Sequence, residues 1–262
     1  AAVWQRALIM AAGAFMNFLL GFVVMVILIA AQSEPITSRV IYAIDDGALC
    51  GQTGLEAGDQ VLAVNGRRCF VANDMLYELM RTEDYAARFT ALRGGEKVEL
   101  PCVRFDTWQD DSGETHMSLG FTVYGIRKTP ANVVKEAWNS VLYYGRIIFT
   151  SLMDLLRGRE SINDLSGPVG IVTAIGQAAS YGWQDLLQLL VLITVNLGIF
   201  NLLPFPALDG GKVVFLLIEG VTGHAVPEKI QSGLTLAAFA LLFGLMLFAT
   251  YNDILRLITG AV

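Results

Sequence analysis

The stretch of the chain with the most chemical potential is Asn196-Leu-Gly-Ile-Phe-Asn-Leu-Leu-Pro-Phe-Pro-Ala-Leu-Asp-Gly-Gly-Lys212. It closes a charge-free apolar run, Leu186–Leu208, and sets Asp209 between two prolines and two glycines. Pro204 and Pro206 remove backbone donors and break a helix. Gly210 and Gly211 admit backbone angles closed to other residues. The expected product is an unwound segment at membrane depth, tolerated only where protein buries it or water reaches it. A carboxylate inside a span costs about 2.5–3.5 kcal/mol on insertion scales, and such residues are functional by default. Three roles are open to Asp209 on these grounds. It can be a hard oxygen ligand for a metal, an ion or proton carrier on a broken helix, or the cap of the helix that follows. The two histidines, His116 and His224, are 108 residues apart and neither is followed by Glu. His116 reads as a surface side chain and His224 as part of a polar loop.

The elements that must position Asp209 are membrane helices. The chain has 262 residues, of which 54% are hydrophobic and 16% charged, with a mean hydropathy of +0.54. Soluble domains carry about 25% charged residues. The composition excludes a disordered chain and a basic nucleic-acid-binding domain. Three charge-free apolar runs, Ala7–Ala31, Leu186–Leu208 and Gly233–Tyr251, are each long enough to span a bilayer as a helix. Ala131–Arg157 mixes apolar residues with Lys135, Glu136, Arg146, Asp154 and Arg157. It reads as an amphipathic helix lying at the interface, with Trp138, Tyr143 and Tyr144 at headgroup level.

Residues 36–126 hold 14 acidic and eight basic side chains, so the whole formal charge of −6 sits in this block. It reads as a soluble, β-rich insertion. Val61–Val64 is a strand closed by the turn Asn65-Gly66, and Asn73 is placed to cap a short helix through Met80. Ala87–Arg93 and Lys97–Val103 flank Gly94-Gly95 as a hairpin. Cys50, Cys69 and Cys102 all lie here, and three cysteines do not make a disulfide framework. Arg6, Lys212 and Lys229 flank spans on one side, and Arg157, Arg159 and Arg256 lie on the other. The block is long enough to translocate regardless of charge, and the expectation is that it faces outward.

Residues Gly54-Leu-Glu-Ala-Gly-Asp-Gln-Val-Leu-Ala-Val-Asn-Gly66 resemble the signature of PDZ domains, which bind extended peptides by strand addition. Asn201-x-x-Pro204-x-Pro206-x-Leu208-Asp209-Gly210 resembles a motif of the site-2 protease family of intramembrane zinc metalloproteases. Ser166-Gly-Pro-Val-Gly-Ile171, then Val195-Asn-Leu-Gly198, is similar to the lead-in of bacterial members that cleave anti-sigma factors. Gly13-x-x-x-Asn17 resembles a further element of the family. The four motifs fall in the family's order and cover nearly the whole chain.

The resemblance implies a multi-span α-helical membrane protein with an inserted β-rich PDZ-like domain. Its expected parts are residues 1–35, a transmembrane helix with Gly13 and Asn17; 36–126, an extracytoplasmic PDZ-like domain; 127–182, the interfacial helix and a Ser-Gly-Pro-Val-Gly linker; and 183–262, two transmembrane helices with the Asp209 motif. It implies a bacterial inner-membrane enzyme that uses Zn2+ to hydrolyse a peptide bond in a transmembrane substrate such as an anti-sigma factor. Asp209 is the implied metal ligand, with Asn201, Pro204, Pro206, Gly210, Asn17 and Gly13 supporting the site. The lipid bilayer and a peptide in the PDZ-like groove are the other implied partners, and nucleic acid is not one. The family's His-Glu-x-x-His motif, which supplies two ligands and the general base, has no counterpart here, so no catalytic residue is assigned. The expectation is a chain truncated upstream and inactive alone, and the alternative is a catalytically dead membrane-anchored PDZ scaffold.

Overall fold

The computed structural model describes residues 3–82, 84–159 and 166–259. They form two compact units, one of residues 29–143 and one of residues 1–28 with 144–262.

The 29–143 unit is built on antiparallel strands: β1 (Ile36–Ile44), β2 (Gln60–Val64), β3 (Arg67–Arg68), β4 (Ala86–Arg93), β5 (Glu96–Arg104), β6 (Asp106–Gln109), β7 (Thr115–Ser118) and β8 (Phe121–Ile126), with helices α2 (Leu49–Gln52) and α3 (Ala72–Met80) between them. The main sheet runs β5-β4-β2-β1-β8, with β3 on β2, and β6-β7 form a separate ribbon. Asn65 and Gly66, at φ +50° and +78°, make the tight turn that pairs Val64 with Arg67. Gly94 and Gly95 also take positive φ and close the β4–β5 hairpin at Arg93 and Glu96. The core beneath the sheet contains Ile41, Val61, Val64, Met75, Leu79, Phe89, Val103 and Phe121.

Asp59, fully buried, receives two hydrogen bonds from Arg93, at 2.7 and 2.8 Å, and a third from the Glu56 amide. Arg93 also donates to the Gly54 carbonyl, so one bidentate pair ties the 54–59 loop to β4. Asn73 does not cap α3. The helix starts at Ala72, and the buried Asp74 carboxylate accepts from the Val71 amide instead. The same carboxylate oxygen also accepts from the Phe70 amide, so a residue inside the helix does the capping. The three cysteines are free thiols, Cys50 and Cys69 buried and Cys102 exposed.

The other unit is helical: α1 (Val3–Ala31), α5 (Pro168–Tyr181), α6 (Trp183–Leu202), α7 (Asp209–Thr222), α8 (Glu228–Thr259) and the second half of α4 (Pro130–Leu156). α1, α6 and α8 are long and apolar enough to cross a membrane. α6 ends at Leu202, six residues before the apolar run does, because the prolines follow at once. α1 packs on α6 through glycine: a Cβ on Gly21 would lie 3.0 Å from Val195, and one on Gly198 would lie 3.1 Å from the Phe18 ring. Much of the remaining apolar surface is exposed, including Leu8, Phe15 and Leu20 on α1 and Leu236, Phe239 and Leu247 on α8. Apolar surface of this extent, on helices long enough to span a bilayer, is what a membrane or a protein partner covers.

Residues 168–181, which the sequence reading treats as part of a linker, are helix α5. Pro168 sits in its first turn, where a missing N–H costs nothing. α4 matches the amphipathic segment, with Val133, Ala137, Val141, Tyr144 and Ile148 buried along one face.

Candidate metal centre

The chain between α6 and α7 is irregular from Leu203 to Leu208, and Asp209 is the first residue of α7. Leu208, in extended conformation, is the N-cap, so the carboxylate stands at a helix N-terminus, where a negative charge is favoured. The irregular segment is held at several points. The amides of Phe205 and Leu208 donate to the carbonyls of Leu203 and Phe205, and Thr235 of α8 donates to the Pro206 carbonyl at 3.2 Å. Prolines stand at two of its six positions, so few amides there need a partner.

Gly210 and Gly211 do not serve through unusual backbone angles, since neither has a positive φ. Their role is close approach. A Cβ on Gly210 would lie 2.3 Å from the Leu203 oxygen, and one on Gly211 would lie 2.2 Å from the Phe205 oxygen. The first turn of α7 is pressed directly onto the irregular backbone, which fixes where Asp209 can be.

Asp209 is partly exposed, with Lys212 at 3.4 Å from Oδ1. Its other oxygen faces α1: a Cβ on Gly13 would lie 3.7 Å from Oδ2. A side chain longer than a methyl at position 13 would enter the space beside the carboxylate, so Gly13 keeps that space open. α7 runs antiparallel to the start of α1. Its far end is pinned by an ion pair between Arg6 and Glu219 at 2.5 Å. Gly13 is seven residues beyond Arg6, about 10 Å along α1, so Asp209 is level with a point inside the Ala7–Ala31 apolar run.

A cleft of about 680 Å³ opens between α1, α7 and α8, lined by Arg6, Lys212, Glu219, Gln231 and Thr235 among others. These polar side chains give water a route from the Arg6–Glu219 end toward Lys212, the neighbour of Asp209.

Of the residues expected around Asp209, Gly13 is beside it and Gly210 fixes its position. Asn201 is half-buried in the last turn of α6, and Asn17, also half-buried, lies one turn beyond Gly13 on α1. Neither makes a hydrogen bond to Asp209 among the described residues. His224 lies past the other end of α7, about 20 Å along the helix, with Nδ1 at 3.0 Å from the Thr222 carbonyl. His116 is on β7 in the 29–143 unit.

The donor chemistry fits a divalent metal in part. Asp209 offers one fixed carboxylate with an open space at Oδ2, and a hydrolytic zinc site uses three protein ligands. The other two are not beside Asp209 among the described residues.

Asp253 escapes the sequence reading. It lies two residues past the third apolar run, is almost fully buried in α8, and accepts a hydrogen bond from the Gly170 amide at 2.7 Å. A Cβ on Gly170 would lie 2.9 Å from its carboxylate, and one on Gly167 would lie 2.8 Å from the Thr250 amide. The Ser-Gly-Pro-Val-Gly element is thus a socket for Asp253 that caps α5 and locks it to α8. The only sequence signal for it was a lone acid at the end of a span.

Three helices long and apolar enough to cross a bilayer place the helical unit in the class of integral membrane proteins. The chain belongs to peptidase family M50, whose sequence model matches residues 1–245. It is similar to the regulator of sigma-W protease RasP of Bacillus subtilis, 31% identical over 97% of this chain and 60% of the relative. It is also similar to the zinc metalloprotease RasP of Geobacillus kaustophilus, 34% identical over 95% of this chain and 59% of the relative. A putative zinc metalloprotease of Clostridium perfringens is 30% identical over 96% of this chain and 73% of the relative. The chain spans about 60% of the length of the first two.

Proposed function

We propose that this chain is part of an intramembrane zinc metalloprotease of the bacterial inner membrane. The observation that carries the reading is Asp209, fixed at the start of α7 beside the apolar run of α1 with Oδ2 facing the space kept by Gly13. Membership of family M50 and the names of the zinc-metalloprotease relatives support the metal. Asp209 supplies one ligand, and the reading requires two more that the described residues around it do not provide. Zinc, when bound, acidifies water and polarises a scissile carbonyl. The protein's own residues do the rest. Gly210 and Gly211 seat the carboxylate, Gly13 leaves room beside it, and the cleft lined by Arg6, Lys212 and Glu219 admits water.

The substrate is a transmembrane helix. Its scissile bond must leave its helical hydrogen bonds before attack, and the irregular backbone of Leu203–Leu208 lies next to Asp209 to receive the extended strand. An anti-sigma factor fits this substrate class, in keeping with the name of the Bacillus subtilis relative. The 29–143 unit reads as an extracytoplasmic PDZ-like domain, supported by its antiparallel sheet, α3 and the Gly54–Gly66 loop held by Arg93. It limits access to substrates whose outer part has already been trimmed.

The test is Asp209→Asn in the native full-length product of the gene, assayed on a transmembrane substrate. The variant is expected to insert normally, to lose cleavage by about 100-fold or more, and to hold less zinc. Cleavage at the parent rate would overturn the ligand assignment. Unchanged membrane insertion with binding of the same substrate but no cleavage by the parent protein would favour a membrane-anchored scaffold.

A further inference from the structure

The β6–β7 ribbon belongs neither to the main sheet nor to the Asp209 site, and it gathers three ligand-type side chains on one face. Trp108 pairs with His116 across the ribbon, so the two lie on the same side. Two residues from each, just beyond the ends of β6 and β7, Asp110 and Glu114 stay paired through the Asp110 amide and the Glu114 carbonyl and fall on that side too. The Asp110, Glu114 and His116 ligand atoms all lie within 4.8 Å of one another.

Two features hold them there. The first is a division of labour within Asp110. Its Oδ1 accepts from the Ser112 amide at 2.9 Å, the Ser112 hydroxyl at 2.7 Å and the Glu114 amide at 2.9 Å, which fixes the turn. Its Oδ2 is left to face His116 Nε2 at 3.1 Å. The second is the Trp108 indole, packed at a 31° tilt against the His116 ring with centroids 4.8 Å apart, which restricts the imidazole.

We infer that this face of the ribbon binds a divalent transition-metal ion through His116 Nε2, Asp110 Oδ2 and a Glu114 carboxylate oxygen. Two atoms that each lie about 2.1 Å from one ion are separated by about 3.0–3.4 Å in octahedral or tetrahedral coordination. The 3.1 Å between Asp110 Oδ2 and His116 Nε2 falls in that range, and an ion there would replace the hydrogen bond while the exposed Glu114 side chain swings in. The turn hydrogen bonds to Oδ1 and the indole stack take the place of the outer contacts that orient ligands in metal sites. An imidazole with two carboxylates favours Zn2+, Ni2+ or Cu2+ over Mg2+ and Ca2+, which prefer oxygen alone. The ribbon is solvent-exposed, so water fills the remaining positions and the site exchanges with free metal. The site is independent of Asp209 and stands whether or not the chain is a protease.

Trp108 supplies the readout, because Ni2+ held by His116 quenches an indole stacked on the same ring. The chain in detergent, stripped with chelator, is titrated with NiCl2 while tryptophan emission is followed. The expected result is saturable quenching that is absent in Trp108→Phe and competed by ZnCl2. It is not competed by MgCl2. His116→Phe keeps a ring against Trp108 and removes the ligand, and apparent affinity should fall about ten-fold or more. Glu114→Gln should weaken binding in the same direction, and Asp209→Asn should leave the titration unchanged. Quenching that persists in His116→Phe overturns the site, as does the absence of saturable quenching in the parent chain. Displacement by MgCl2 overturns the choice of a transition metal.

Discussion

A methyl group on Gly211 would lie 2.2 Å from the Phe205 oxygen and 2.7 Å from the Pro206 Cα, and both are backbone atoms that cannot swing away. Gly211→Ala must therefore push the start of α7 off the Leu203–Leu208 segment. The strain is of the overpacking kind, about 1–3 kcal/mol or more, and it falls where Asp209 is held. Thermal unfolding in detergent should show the loss. Gly244→Ala is the control, since a Cβ there meets nothing within 4 Å. Equal melting of the two variants would refute the close-approach account. The sequence pointed to these glycines through their place beside two prolines, but it suggested backbone angle as the reason. The true reason is a contact between residues five to eight positions apart, and no local propensity reports that.

The elements differ in how plainly the sequence announces them. α1, α6 and α8 follow from apolar runs alone, and the β2–β3 and β4–β5 turns from Asn65-Gly66 and Gly94-Gly95. α5 was hidden because its glycines weaken helix propensity, and Asp253 compensates by capping it. Asp253→Ala removes the acceptor of the half-buried Gly170 amide and should cost about 1 kcal/mol. Asp253→Asn keeps an acceptor oxygen and should recover most of that loss in the same melting experiment. If Asn is as damaging as Ala, the hydrogen bond is not what locks α5 to α8.

A titrating group acts on the 29–143 unit. Glu136, on the first half of α4, is pushed up to about 7 by burial and by Asp74 of α3, against the pull of Arg39 on β1 and Lys135. The folded unit thus keeps a proton that the unfolded chain releases near its usual value of 4.5. The unit loses stability as pH rises from about 4.5 to 7, and the loss is complete above that. Glu136→Gln abolishes this fall, matching the parent near pH 4.5 and exceeding it at pH 8. Pulse proteolysis within residues 36–126 across that range measures it, and parallel curves for the two proteins would rule the group out.

For the whole molecule, the open structural question is which side of the membrane receives the acidic 36–126 block, and the charges flanking the spans decide it weakly. The fold provides its own reporter. Cys102 is exposed on β5, whereas Cys50 and Cys69 lie in the core, and burial pushes the Cys50 thiol up, away from the reactive thiolate. All three cysteines of the chain are in this block, so a thiol reagent that cannot cross membranes sees one site in the folded protein. Labelling in intact cells at one thiol per chain, lost in Cys102→Ser, is the expected result for an outward-facing block. Denaturation should then expose two more thiols. If Cys102 reacts only after the membrane is permeabilised, the block faces the cytosol and cannot screen substrates trimmed outside the cell.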